Sequence, residues 1–228
     1  MTVLHLADEG EAADLAAFLA RLIHYDRGAA VRLQATGTML AVFGRPPSFE
    51  VLAIRAVRLA KPYDNGLDAG LDVTVSAGEL LESVDESAAT AGVPAAVTGP
   101  PWAGVLPPRG GWRPEPGLPA PDALRATVAA AVAEFRSRTQ ELAPERRTRA
   151  ELDRTGREIW SRTVGDTGLP VRAVHAAQSL GFLRPAGRAS GAEPLGLYSS
   201  GTWLRLRTPY GSIAVRRAGL GVLGISVR

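Results

Sequence analysis

Arg205 and Arg207 alternate with Leu204 and Leu206, and Arg216 and Arg217 follow beyond a Thr208-Pro209-Tyr210-Gly211 turn. Guanidinium groups presented this way bind anions, because each offers a planar fork of donors that stays charged at any physiological pH. Further arginines crowd residues 146–162. Asp153–Arg157 and Glu158–Arg162 are spaced four apart and Glu151–Arg154 three apart, the spacings that lace an exposed helix face with ion pairs. With those pairs set aside, Arg146, Arg147, Arg172, Arg205, Arg207, Arg216 and Arg217 remain as candidates for binding nucleic acid or another anion. No Asn or Gln lies near the Arg205–Arg217 stretch to read base edges, so a nucleic acid there would be held through its phosphates.

Other chemistries find little support. His5, His24 and His175 are scattered without metal-ligand spacing, and the chain has no cysteine for a thiolate site, a disulfide or a nucleophile. Gly110-Gly111 and the Gly219–Gly224 run lack the phosphate-loop and dinucleotide patterns, and no Gly-x-Ser-x-Gly elbow is present. Glu79, Glu82 and Asp85 sit near a helix start, where capping explains them. No catalytic residue, metal ligand or cofactor is assigned.

The 228 residues carry a formal net charge of +3 that hides a strong asymmetry. Residues 1–95 hold 13 acidic and 7 basic side chains, a net of −6, whereas residues 96–228 hold 10 and 19, a net of +9. Such a dipole steers an acidic partner to the basic half, or holds the two halves or two subunits together. Lys61 is the sole lysine among the 26 basic residues, a bias that with abundant Ala and Gly points to a high-GC genome. Asp8, Glu9 and Glu11 interrupt any N-terminal apolar region, and the Leu220–Val227 run is too short to cross a bilayer. A cytoplasmic protein without a membrane role is the expectation.

The elements that must position these arginines follow from periodicity. Leu124, Val128, Ala131, Val132, Phe135 and Leu142 mark one face of a helix opening at Asp122 and broken at Pro144. Leu152, Gly156, Ile159, Trp160 and Thr163 mark a second, closed by Gly165-Asp166-Thr167-Gly168. A third runs from Pro170 to Leu180, with Val174 and Ala177 inward, Arg172, His175 and Ser179 opposite, and Gly181 as its stop. Trp203–Arg207 and Ser212–Arg217 then form a hairpin. Three helices and a basic hairpin resemble a winged helix-turn-helix unit. That likeness implies that the helix at 170–180 enters a major groove while Arg205, Arg207, Arg216 and Arg217 touch phosphates.

Upstream, Val3–Leu6 is a short apolar segment and Asp8–Tyr25 a helix that buries Leu15, Phe18, Leu19 and Leu22. Ala30–Gln34 and Thr38–Phe43 read as strands around Thr36-Gly37. Phe49–Ala60 fits either a strand or a helix, and is assigned to strand because the hairpin edge needs a partner. A turn-rich link at Tyr63–Gly70 leads to a strand at Leu71–Val75. Ser76-Ala77-Gly78-Glu79 is then a capping box for a helix carrying Leu80, Leu81 and Val84. This order, with Val73–Leu81, resembles one half-domain of a DNA sliding clamp, which implies a possible fold and no function. The whole chain also resembles an uncharacterised family of actinobacterial proteins, a likeness silent on chemistry.

Between the two parts, residues 94–121 hold nine of the 17 prolines, together with Trp102 and Trp112. Two large aromatic rings suit a strap pinned across folded structure, or a surface on which a partner docks. The fold expected is α+β: an acidic α/antiparallel-β domain over 1–95, a Pro-rich strap over 96–121, and a basic helical segment over 122–228 ending in an antiparallel β-meander. The function expected first is a non-catalytic binding protein whose basic C-terminal half engages nucleic acid or another acidic partner. A structural, self-associating module (a homo-oligomer) stands second, and an enzyme with no site visible in the sequence third.

Overall fold

A computed structural model describes residues 2–63, 70–185 and 195–217. The Leu220–Val227 run and most of the Tyr63–Gly70 link lie outside them. In chain order the elements are β1 (Val3–His5), α1 (Glu9–Tyr25), β2 (Ala30–Thr36), β3 (Met39–Gly44), β4 (Leu52–Arg58), β5 (Gly70–Ser76), α2 (Ala77–Glu82), β6 (Val84–Asp85), β7 (Thr90–Gly92), β8 (Arg113–Glu115), α3 (Pro121–Glu141), α4 (Arg149–Ser161), α5 (Val171–Ser179), β9 (Gly196–Ser200), β10 (Trp203–Thr208) and β11 (Gly211–Arg216). The fold is α+β. Among the described residues no helix is long and apolar enough to cross a membrane.

Local chemistry sets the helix starts. Asp8 accepts a hydrogen bond from the Glu11 amide at 2.8 Å, Ser76 from Glu79 at 3.3 Å and Thr148 from Glu151 at 3.3 Å. Pro121 occupies the first turn of α3, where its missing donor is no loss. Val84, expected on the capped helix, instead opens β6, because α2 ends after six residues when Ser83 caps it. Three short strands, β1, β7 and β6, pair into a small antiparallel sheet.

The main sheet has eight antiparallel strands in the order β5-β2-β3-β4-β11-β10-β9-β8. Its centre joins distant parts of the chain, since β4 pairs with β11 in the register Ile54↔Ser212, Ala53↔Ile213 and Leu52↔Ala214. The segments over 1–95 and 122–228 therefore meet in one sheet and one core. Leu33, Val42, Val57, Leu204 and Ile213 pack into a single cluster with Phe18 and Leu19 of α1, Leu124 of α3, Ile159 of α4 and Val174 of α5. β4 explains its own ambiguity: Leu52, Ala53, Ile54 and Arg55 are all buried, so a strand covered on both faces loses the alternation that would identify it.

The opposite face of the sheet carries Phe43, Leu52, Ile54 and Ala214, covered by Trp102 and Leu106. Residues 96–120 run across it as a hydrogen-bonded strap that includes one 3-10 turn at Pro101–Gly104. The Val97 amide donates to Thr74 O at 2.9 Å, Arg32 Nη1 to Ala103 O at 2.7 Å, and Ser200 Oγ to Gly110 O at 3.2 Å. β8 then joins the sheet edge against β9.

One close approach defines the hairpin's seat. A Cβ on Gly211 would lie 2.6 Å from Phe182 Cζ, and Phe182 in turn stacks on Phe18 with ring centroids 5.7 Å apart. Gly211→Ala is expected to lower stability by about 1–3 kcal/mol, the scale of overpacking a filled core. Gly211 also has a φ of 155°, which L side chains rarely adopt, so an unchanged midpoint under urea denaturation would mean that both the Phe182 ring and the backbone there accommodate a methyl group.

Candidate anion-binding groove

At the end of the sheet where α5 begins, four separate stretches converge. The loop after β3 is held by Phe49, which is buried and meets Tyr25 and His175 edge-on, with centroids 5.6 Å and 5.1 Å away. Its flanking residues Ser48 and Glu50 take left-handed φ values of 71° and 52°, a conformation that non-glycine residues adopt only under constraint. This anchoring presents Arg45 and Glu50 to a groove of about 470 Å³. Arg172 enters from the first turn of α5, Trp203 and Arg216 from the paired ends of β10 and β11, and Trp102 from the strap.

The electrostatics of this groove are unbalanced. Its lining carries Arg45, Arg172 and Arg216 against Glu50, a net of +2. Arg45 is exposed and makes no hydrogen bond or ion pair among the described residues. Arg216 has no carboxylate partner there either, and lies over the Trp203 ring at 5.2 Å from its centroid. Arg172 Nε is buried without a hydrogen bond, with Glu50 Oε2 3.9 Å away, too far to accept one. Each cation thus keeps donor capacity in reserve, beside two half-buried indoles. Chemically the groove can grip an anion and lay an apolar or planar group against Trp102 and Trp203.

Arg172, Arg216 and Trp102 were singled out from the sequence and meet here. Arg45, Glu50 and Trp203 were not: Arg45 and Glu50 flank a proline-bearing loop ahead of β4, and Trp203 carries no signal beyond opening the hairpin strand. The other candidates are dispersed. Arg147 donates from Nε and Nη2 to the carbonyls of Leu142 and Gln140, both at 2.9 Å, and so closes the end of α3. Arg146 is exposed on the turn beyond it. Arg217 pairs with Glu115, and Arg207 lies over Tyr198, 5.3 Å from the ring centroid. Trp112 folds back on the strap, donating to Pro108 O at 3.0 Å.

Arg205 and Arg207 are both half-buried on one face of β10: Arg205 Nε donates to Ser212 Oγ at 2.9 Å, and burial holds the Arg205 pKa below the usual value. The strap covers the face that the strand pattern left open. The helix expected to enter a DNA groove is itself enclosed, since α5 buries Val171, Ala173, Val174, Ala176 and Ala177 and exposes fully only Gln178. His175 stacks on Trp160 at 4.7 Å, and burial lowers its pKa.

The arginines of α3 and α4 are largely answered by carboxylates. Glu134 takes both Arg138 and Arg162, and Glu158 takes the same two, in a network that ties the helices together. Glu151–Arg154 forms as expected, whereas Asp153 lies 3.8 Å from Arg149 rather than pairing with Arg157. Among the described residues no group of His, Cys, Asp and Glu is arranged to hold a metal ion.

Residues 107–220 match the family of the domain of unknown function DUF8185, and residues 1–104 match a second domain of unknown function, DUF8010. No curated protein and no solved structure matches the chain.

Proposed function

We propose, for a chain that belongs to the DUF8185 family, a non-catalytic binding role in which the groove holds the backbone of a single-stranded nucleic acid. The observation that carries this is the convergence of Arg45, Arg172 and Arg216, each with unused donors, beside Trp102 and Trp203. Phosphates suit the guanidinium forks, and bases suit the indole faces. Duplex reading by α5 has no comparable support, because that helix lacks an open face. The helix arginines, engaged with Glu134 and Glu158, leave the groove as the better-supplied cationic site.

Titrating the protein with an oligothymidylate while following tryptophan fluorescence tests the proposal. A saturable change is expected, reduced in amplitude and affinity by Trp203→Ala, since one base stacked on an aromatic ring contributes about 1–3 kcal/mol. Binding of polyglutamate in place of the oligonucleotide would assign the groove to an acidic protein. No response to either would remove the binding role.

A further inference from the structure

Under the strap, on the same sheet face, lies a second and smaller cavity of about 220 Å³. Its floor is apolar, made by Ala41 and Phe43 of β3 and Ile54 and Ala56 of β4, and Pro107 and Pro108 of the strap form its roof. Gln34 of β2 contributes an amide, and two guanidinium groups line it, Arg109 of the strap and Arg205 of β10.

Arg205 is anomalous. Its partners among the described residues are neutral: the Ser212 hydroxyl on Nε, and the Trp112 ring with its centroid 5.7 Å away. Its two terminal nitrogens carry no hydrogen bond and no ion pair among the described residues. Contrast Arg55, equally a sheet arginine, which meets Glu11 and Asp14 at 2.8 Å and 3.2 Å. A half-buried guanidinium whose terminal nitrogens are unengaged beside an apolar floor, with no carboxylate bonded to it, is ready to take an anion. Partial desolvation lowers its pKa.

We infer that this cavity is a binding site for a small monocarboxylate with a compact apolar body, its carboxylate on the two terminal nitrogens of Arg205 and its body on the Phe43–Ile54 floor. A carboxylate matches the planar fork with two parallel hydrogen bonds. The cavity falls below the usual range of about 300–1,000 Å³ for drug-sized ligands, which selects small molecules. The cavity shares no lining residue with the groove at Arg172 and Arg216, so the two sites are tested separately.

The probes are benzoate and hexanoate, with benzamide as the uncharged isostere of benzoate, read on the full chain by calorimetry and thermal shift. Both carboxylates are expected to bind saturably and raise the Tm, while benzamide has no effect. Arg205→Gln is expected to weaken benzoate about ten-fold or more, the worth of one charge-assisted pair, without lowering the Tm of the free protein. Ala41→Leu, which fills the floor and keeps Arg205, is expected to weaken benzoate as well, so the test does not hang on one variant. Arg172→Ala with Arg216→Ala is expected to leave benzoate binding unchanged. The inference is overturned by absence of saturable binding, by benzamide matching benzoate, or by binding that survives both Arg205→Gln and Ala41→Leu.

Discussion

Arg55→Ala is expected to destabilise the protein by about 3–5 kcal/mol, the range for removing one partner of a buried ion pair. Arg55 is 5% exposed at the centre of the sheet. It donates to Glu11 Oε2 at 2.8 Å and to Tyr210 O at 2.9 Å, and lies 3.2 Å from Asp14 Oδ2. Truncation leaves the buried Glu11 carboxylate facing a cavity, with Arg58 Nε at 2.9 Å as its remaining partner. The loss also severs a link between α1 and the turn from β10 to β11. Urea denaturation of Arg55→Ala, Glu11→Ala and the double variant forms a cycle in which the double variant should be less destabilised than the two single losses added together. A loss below about 1 kcal/mol for Arg55→Ala would show that water reaches and satisfies Glu11.

Residues 1–104 expressed alone are expected to show no cooperative unfolding transition. Without β11, the buried strand β4 becomes an open edge with Leu52, Ala53 and Ile54 exposed. Phe18 loses Phe182, Phe49 loses His175, and Asp14 loses Arg184. The acidic segment looks separable by charge and proline density, but its sheet is completed by residues more than a hundred positions away. Circular dichroism through a urea titration decides this, and a sigmoidal transition would mean that the first segment stabilises itself.

What the sequence made legible divides along a physical line. Helices announced by a cap and a 3.6-residue stripe, such as α1 from Asp8 and α4 with Ile159 and Trp160, lie where the pattern places them. The hairpins β2–β3 and β10–β11 are likewise local, each set by a turn and two alternating runs. Strands that lack an apolar pattern of their own were not legible. Gly196–Ser200 has little apolar pattern of its own and becomes β9 because β10 and β8 pair with it. The same holds for the groove. Arg45, Trp102, Arg172 and Arg216 come together only because β4 and β11 pair, a contact that leaves no periodic trace. Alternation placed Arg205 correctly on the face away from Leu204 and Leu206. That face is roofed by a strap whose prolines do not reveal what they cover.

Oligothymidylate affinity measured against salt, for the wild type and for Arg172→Ala with Arg216→Ala, addresses the groove most directly. Each neutralised phosphate of a single strand adds about −0.7 to the slope of log Kobs against log salt. Three arginines acting together therefore give a slope of about −2, and removing two should bring it to about −0.7. Binding that is absent at low salt, or a slope that the double variant leaves in place, contradicts the role given to Arg172 and Arg216.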